Sequence, residues 1–99
     1  MLTIVATIKV QKGKEQDARR ELEGMIEYVQ TAEPGTVRYT LHTHSGDPTR
    51  LLMYEQYASK DAMDAHGQTD RIKQLFGALG PMLDGAPSIE VWKELGGKK

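Results

Sequence analysis

Three histidines, one carboxylate set among apolar residues and a group of large aromatics are the side chains of this sequence with types and spacing suited to chemistry. His66 closes the helical turn Ala62-Met63-Asp64-Ala65, just before Gly67. Ala62 and Ala65 are small, so that helix can approach a sheet closely and place His66 at the wall of any cavity between the two. Imidazole is the side chain with an ordinary pKa nearest neutrality, which suits it to take up and return protons. The competing reading is a histidine that caps or packs the helix end. Glu55 falls on one strand face between Met53 and Tyr57. A carboxylate in such company must be paired, or its pKa rises. It is a second candidate for catalysis, and a salt bridge to Arg38, Arg50 or Lys93 is the structural alternative. His42 and His44 lie two apart on a strand and so share a face, a spacing that could ligate a metal. No third ligand is fixed by the sequence, so exposed strand-end histidines are expected and no metal.

The elements that must position these residues are read from periodicity. Leu2, Ile4, Ala6, Ile8 and Val10 share one parity of an alternating, β-branched segment, the pattern of a strand with its apolar face turned to helices or to a dimer interface. Val5 and Thr7 on the other parity suggest that the second face is also partly covered. From Glu15 the period changes: Ala18, Leu22, Met25, Ile26 and Val29 form the stripe of an amphipathic helix, which Glu33-Pro34-Gly35 stops. Val37–His44 and Leu51–Tyr57 alternate again around the turn cluster Ser45-Gly46-Asp47-Pro48, predicting a hairpin. Ser59 is a candidate N-cap for a short helix over 60–66. Thr69 or Asp70 restarts a second stretch with Ile72, Leu75, Phe76 and Leu79 on its stripe, and 89–95 is the last strand. The order β-α-β-β-α-β predicts an α+β, ferredoxin-like fold: a four-stranded antiparallel sheet with its helices on one face. The uncovered face, still partly apolar, predicts a homodimer.

The 99 residues and 11.0 kDa allow one domain, read as residues 1–95, with Gly96-Gly97-Lys98-Lys99 as a flexible tail. With no cysteine there is no disulfide framework, thiolate nucleophile or Cys-ligated metal. A net charge of −1 argues against a nucleic-acid partner. No apolar run approaches the ~20 residues of a membrane helix, and no signal peptide is evident, so a cytoplasmic protein is expected. No GxGxxG, Walker, GxSxG or HExxH motif occurs.

Glu33-Pro34-Gly35-Thr36, a strand with Tyr39, Asp47-Pro48, then Tyr54-Glu55-Gln56-Tyr57, Asp61-Ala62 and His66 together resemble the antibiotic biosynthesis monooxygenase (ABM) domain. The opening Met1-Leu2-Thr3-Ile4-Val5-Ala6 is similar to the first strand of its quinol-monooxygenase members. The resemblance covers nearly the whole chain, and Glu55–His66 is its most specific stretch. It implies a dimeric α/β barrel of two ferredoxin-like protomers. It implies an oxygenase without cofactor or metal that ionises an electron-rich quinol-like or polyketide-like aromatic, so that dioxygen can react with the anion. On this resemblance His66 is the acid–base group and Glu55 the strand carboxylate. Tyr57 and Tyr39 match aromatic positions, and Arg38 and Trp92 are further candidate pocket walls for substrate.

Relatives of the same fold differ in chemistry. Haem-degrading members carry a histidine ligand where this chain reads Gln74-Leu75-Phe76, so haem degradation is not expected. Isomerases of small phosphorylated diones share the Tyr-Glu-x-Tyr strand and the following histidine. A phosphate would call for a basic cluster, with Arg38, Arg50 and Arg71 as candidates. A dimer that binds a small molecule without chemistry is the third reading.

Overall fold

The computed structural model describes residues 1–98; Lys99, the end of the expected tail, lies outside the described residues. Strands β1 (Leu2–Lys9), β2 (Thr36–His44), β3 (Asp47–Tyr57) and β4 (Ser88–Lys93) alternate with helices α1 (Glu15–Ala32), α2 (Lys60–Gly67) and α3 (Asp70–Leu79), and a 3-10 turn (Gly80–Met82) follows α3. The sheet order is β2-β3-β1-β4, with every neighbouring pair antiparallel. Two split βαβ units interleave in this order, which is the ferredoxin-like α+β fold expected from the alternation of periods.

Register decides which residues meet. Ile4 lies opposite Glu55 and Val91, Ala6 opposite Met53 and Ile89, and Glu55 opposite Tyr39. These side chains share the helix-facing side. There Ala6, Ile8, Leu51 and Met53 join Ala18, Leu22, Met25 and Val29 of α1 and Ile72, Leu75 and Leu79 of α3 in one core. Close packing on this scale makes truncation costly, about 2–5 kcal/mol for a buried Leu→Ala. The opposite parity, Thr3 with Gln56 and Trp92, and Val5 with Tyr54 and Glu90, belongs to the outer face.

The ends of the elements follow local rules. Glu15 and Asp17 place negative charge in the first turn of α1, which no side chain caps. Pro34 pushes Glu33 out of the helical region, to φ −129° and ψ 79°, so α1 ends there. Ser59 caps α2 as expected, its hydroxyl accepting from the Ala62 N–H at 3.1 Å. Thr69 caps α3 in the same way, accepting from the Ile72 N–H at 3.1 Å.

Two strand boundaries differ from the sequence reading by more than one residue. Asp47 and Pro48 belong to β3 rather than to the turn, which is reduced to Ser45-Gly46. The Asp47 carboxylate accepts from both the backbone and the hydroxyl of Thr49, at 3.0 and 2.6 Å. Pro48 lies beyond the last β1–β3 pair, Lys9 with Arg50, so its missing N–H removes no bond from that ladder. The last strand ends at Lys93 instead of running to Leu95.

Candidate functional site

His66 occupies the end of α2, and three local features fix it. The Thr69 hydroxyl donates to the His66 carbonyl at 3.0 Å and ties the α2–α3 corner. Gly35 lets the start of β2 run against α2; a Cβ there would lie 2.7 Å from the Ala62 Cβ. Glu33, turned out of α1 by Pro34, brings its carboxylate to the imidazole, with Oε1 2.7 Å from Nδ1. Oε1 also accepts from the Thr36 hydroxyl at 2.8 Å. The side chains of His66 and Glu33 are only 6% and 11% exposed, so this contact is an internal one.

A carboxylate only accepts hydrogen bonds, so Nδ1 carries a proton, and in the neutral imidazole Nε2 is then the nitrogen with the lone pair. Nε2 makes no hydrogen bond among the described residues. Tyr39 and Tyr57 pack on the imidazole, with ring centroids 5.2 and 5.5 Å from it. Tyr57 donates its hydroxyl to Glu55 Oε1 at 2.5 Å. Burial raises the Glu55 pKa above its ordinary range, against the opposing pull of the Tyr57 hydrogen bond and of His66. Burial, reinforced by the Glu55 charge, also raises the pKa of both tyrosines, so neither gives up its phenolic proton readily.

This cluster forms one end of a cavity of about 340 Å³ between helices and sheet. Tyr39, Glu55 and His66 supply its polar end. The remaining wall is largely aliphatic and aromatic, drawn from β1, β3 and α3, and includes Ile4, Met53, Ile72 and Phe76. Ile89 of β4 also lines it and is 53% exposed, which marks the open side of the cavity between α3 and the edge strand.

The structure therefore brings His66, Glu55 and Tyr39 together at one cavity. Tyr57, expected as a wall, is fully buried behind it and acts as the hydrogen-bond partner of Glu55. Arg38 and Trp92, the other two candidate walls, do not line it. The physical reason is strand alternation: Arg38 lies opposite Gln56, and Trp92 opposite Thr3, both on the outer face. The salt-bridge alternative for Glu55 is corrected too, because its hydrogen-bond partner is Tyr57. His42 and His44 are exposed at the hairpin end, where His44 Nδ1 accepts from the Gly46 N–H at 3.0 Å. Among the described residues no group of three or more His, Asp or Glu is placed to hold a metal. Glu33 is the functional candidate that the sequence reading missed.

Residues 1–78 match the sequence pattern of the antibiotic biosynthesis monooxygenase family. The chain belongs to that family. A solved structure from Caulobacter crescentus, provisionally named an antibiotic biosynthesis monooxygenase, is similar at 34% identity and a TM-score of 0.91, over 96% of this chain and 90% of that one. A Pseudomonas aeruginosa protein, PA3566, is similar at 26% identity and a TM-score of 0.86, over 96% and 94% of the two chains. A conserved protein from Methanosarcina mazei shares the fold at 24% identity and a TM-score of 0.89, over 95% and 92%. A comparison with curated protein sequences returns no match. Within this ABM chain no helix is long and apolar enough to cross a membrane among the described residues.

Proposed function

We propose that this ABM protein is a cytoplasmic, homodimeric monooxygenase that needs no cofactor and oxidises a quinol-like or polyketide-like aromatic with dioxygen. The observation that carries the reading is the His66–Glu33 pair at the polar end of an otherwise apolar cavity. A flat ring would lie along the aliphatic wall with a hydroxyl toward His66. Nε2 takes the hydroxyl proton, Glu33 holds the imidazole in the tautomer that can do so, and the site stabilises the resulting phenolate. The electron-rich anion passes an electron to dioxygen, and the pair recombines at a ring carbon bearing hydrogen. The imidazolium returns its proton to the peroxide oxygen. Loss of water across the C–H and O–O bonds leaves a quinone. One ring hydrogen, the hydroxyl hydrogen and one oxygen atom leave as water, and the other oxygen atom becomes the carbonyl.

The phosphorylated-dione alternative receives less support from the geometry. Of the described Lys and Arg residues only Lys73 lines the cavity. Arg38 and Arg50 follow strand alternation to the outer face. Arg71, on α3, lies against Gly24 of α1. The basic cluster that a phosphate needs is not assembled there.

The test is dissolved-oxygen uptake by metal-stripped protein over a panel of hydroquinones, with autoxidation subtracted. A folded His66→Ala variant, checked by circular dichroism, is expected to lose at least tenfold, or about 1.4 kcal/mol of barrier lowering. Equal uptake in the variant removes His66 from the chemistry. Absence of protein-dependent uptake across the panel moves the reading to the isomerase or the binding dimer.

A further inference from the structure

Two deeply buried side chains at the inner end of the cavity each keep one polar atom without a protein partner. His66 and Glu55 are both 6% exposed, and both line the cavity. Glu33 occupies Nδ1 of His66, and Nε2 has no hydrogen bond among the described residues. Glu55 is divided in the same way. The Tyr57 hydroxyl donates to Oε1, whereas Oε2 has no partner among the described residues. Oε2 of Glu55 is not sealed, unlike the unpartnered oxygen of Glu33, and the space that Glu55 lines is this cavity. Two tyrosines hold the pair of acceptors together. Tyr57 packs its ring on the imidazole while its hydroxyl holds Glu55. Tyr39 lies opposite Glu55 in the sheet and packs on the same imidazole.

The two free atoms ask the same thing of a ligand. Neutral imidazole protonated at Nδ1 accepts at Nε2, and an ionised carboxyl accepts at either oxygen. A ring that fills the cavity displaces the water able to serve them. An acceptor left unmet in such a place costs affinity, and a site built to meet a hydroxyl rejects ligands that lack it. A lone phenol meets one acceptor. A para-diol also meets one, because its second oxygen lies at the opposite edge of the ring, away from Glu55. Hydroxyls on neighbouring ring carbons meet both.

We propose that His66 and Glu55 together select a catechol-type substrate, an aromatic ring with two adjacent hydroxyls. One hydroxyl gives its proton to His66 Nε2, and its neighbour donates to Glu55 Oε2. The charge that develops on the first oxygen lies beside the imidazolium. The second hydroxyl stands between the ring and the carboxylate. Its charge-assisted hydrogen bond pushes electron density into the ring, which favours transfer of an electron to dioxygen. This substrate class deepens the monooxygenase reading and rests on it for its part in turnover; recognition of the diol does not.

The experiment measures binding alone, by isothermal titration calorimetry under nitrogen. Burial raises the Glu55 pKa, the Glu33 charge adds to the rise, and Tyr57 and His66 oppose it. The buffer is therefore mildly alkaline, so that Glu55 is ionised. The ligands are catechol, hydroquinone, phenol and guaiacol. Guaiacol keeps the shape of catechol, but its methoxy oxygen accepts and cannot donate. Wild type is expected to bind catechol at least tenfold more tightly than each of the other three. Glu55→Gln keeps an oxygen for the Tyr57 hydroxyl and turns amide N–H groups to the cavity, donors where the carboxylate accepted. This variant is expected to lose the preference for catechol over guaiacol, while phenol, which needs His66 alone, binds as in wild type. A Glu55 with a purely structural role would shift all four affinities together and leave their ratios unchanged. A smaller catechol preference in wild type, absence of catechol binding, or a preference that persists in the folded variant overturns the proposal. The wild-type series needs no variant and tests the ligand class by itself. Oxygen is excluded throughout, so a failure of the monooxygenase reading and a failure of diol recognition are separate results.

Discussion

Glu55 shows how a single buried carboxyl can set a pH dependence. Burial raises its pKa above the ordinary 4.5, and the Tyr57 hydroxyl and His66 only partly offset the effect. A carboxyl with a raised folded-state pKa favours the native state in its protonated form. Its stabilising contribution is therefore full below about 4.5 and is lost as pH rises through the raised value. Glu55→Gln keeps an oxygen to accept from Tyr57 and removes the titration. Urea unfolding at a series of pH values should show the variant gaining stability relative to wild type between about pH 4 and neutrality. A difference between the two that stays flat with pH would contradict the burial argument. Asp47 titrates with the opposite sign, its pKa lowered by the Thr49 hydrogen bonds, and cancels in this comparison because both proteins contain it. Of the three residues that meet at the cavity, His66 and Glu55 were candidates from residue type and position in their elements, and Tyr39 from the family resemblance. Glu33 was not, because its partner is 33 residues away and no helical or strand period links them. The usable signal was Pro34, which ejects the residue before it from a helix. Arg38 and Trp92 were misplaced although the parity that excludes them from the cavity could be read from the same strands.

The two-point contact between Gly35 and Ala62 carries the site at the level of elements. It lets β2 and α2 approach closely enough for Glu33 and His66 to meet. Gly35→Ala puts a methyl group 2.7 Å from the Ala62 Cβ, so one element must move. Overpacking of this kind costs about 1–3 kcal/mol. Ala62→Gly alone costs about 1 kcal/mol from helix propensity. If the steric account holds, the double variant is more stable than the sum of the single costs predicts, by urea midpoints at unchanged slope. Additive costs would show that the contact is not what limits the approach. Thr69 offers a second check on the same corner. Thr69→Ala removes both the α3 cap and the bond to the His66 carbonyl, and about 1 kcal/mol is expected from the cap. Element order, the helix break near Gly67 and the Ser59 cap were readable because each has a local cause, whereas the Thr69 cap was narrowed only to Thr69 or Asp70 as the restart of the helix. The β3 start was not, since Asp47-Pro48 carries turn chemistry while the hairpin closes on Ser45-Gly46.

For the molecule as a whole, helices lie on one side of a four-stranded sheet and leave the other uncovered. Leu52 lies opposite Thr7 on β1 and His42 on β2, and so shares the outer face with Val5, Tyr54 and Trp92. Trp92 is 55% exposed in the single chain, and Arg38 lies over the Tyr54 ring at 5.8 Å. A tryptophan left half in water next to apolar neighbours gains free energy when a second surface covers it, at roughly 25 cal/mol per Å² of apolar area. A second copy of the same sheet is the cover proposed here, and Arg38 and Trp92 then serve assembly rather than substrate. Leu52→Glu tests this without touching the cavity, because its side chain leaves the sheet on the side away from His66. In a lone chain the glutamate would remain half-exposed and cost little. In a face-to-face dimer it would be desolvated, and so would its symmetry mate, at several kcal/mol. Light scattering at micromolar protein should give a dimer mass for wild type and a monomer mass for the variant, with the far-UV circular dichroism unchanged. A monomeric wild type would reject the dimer outright, and a dimeric Leu52→Glu variant would reject this face as its interface. The cavity depends on residues of one chain, so ligand binding should persist in the monomeric variant if the site is complete within each protomer.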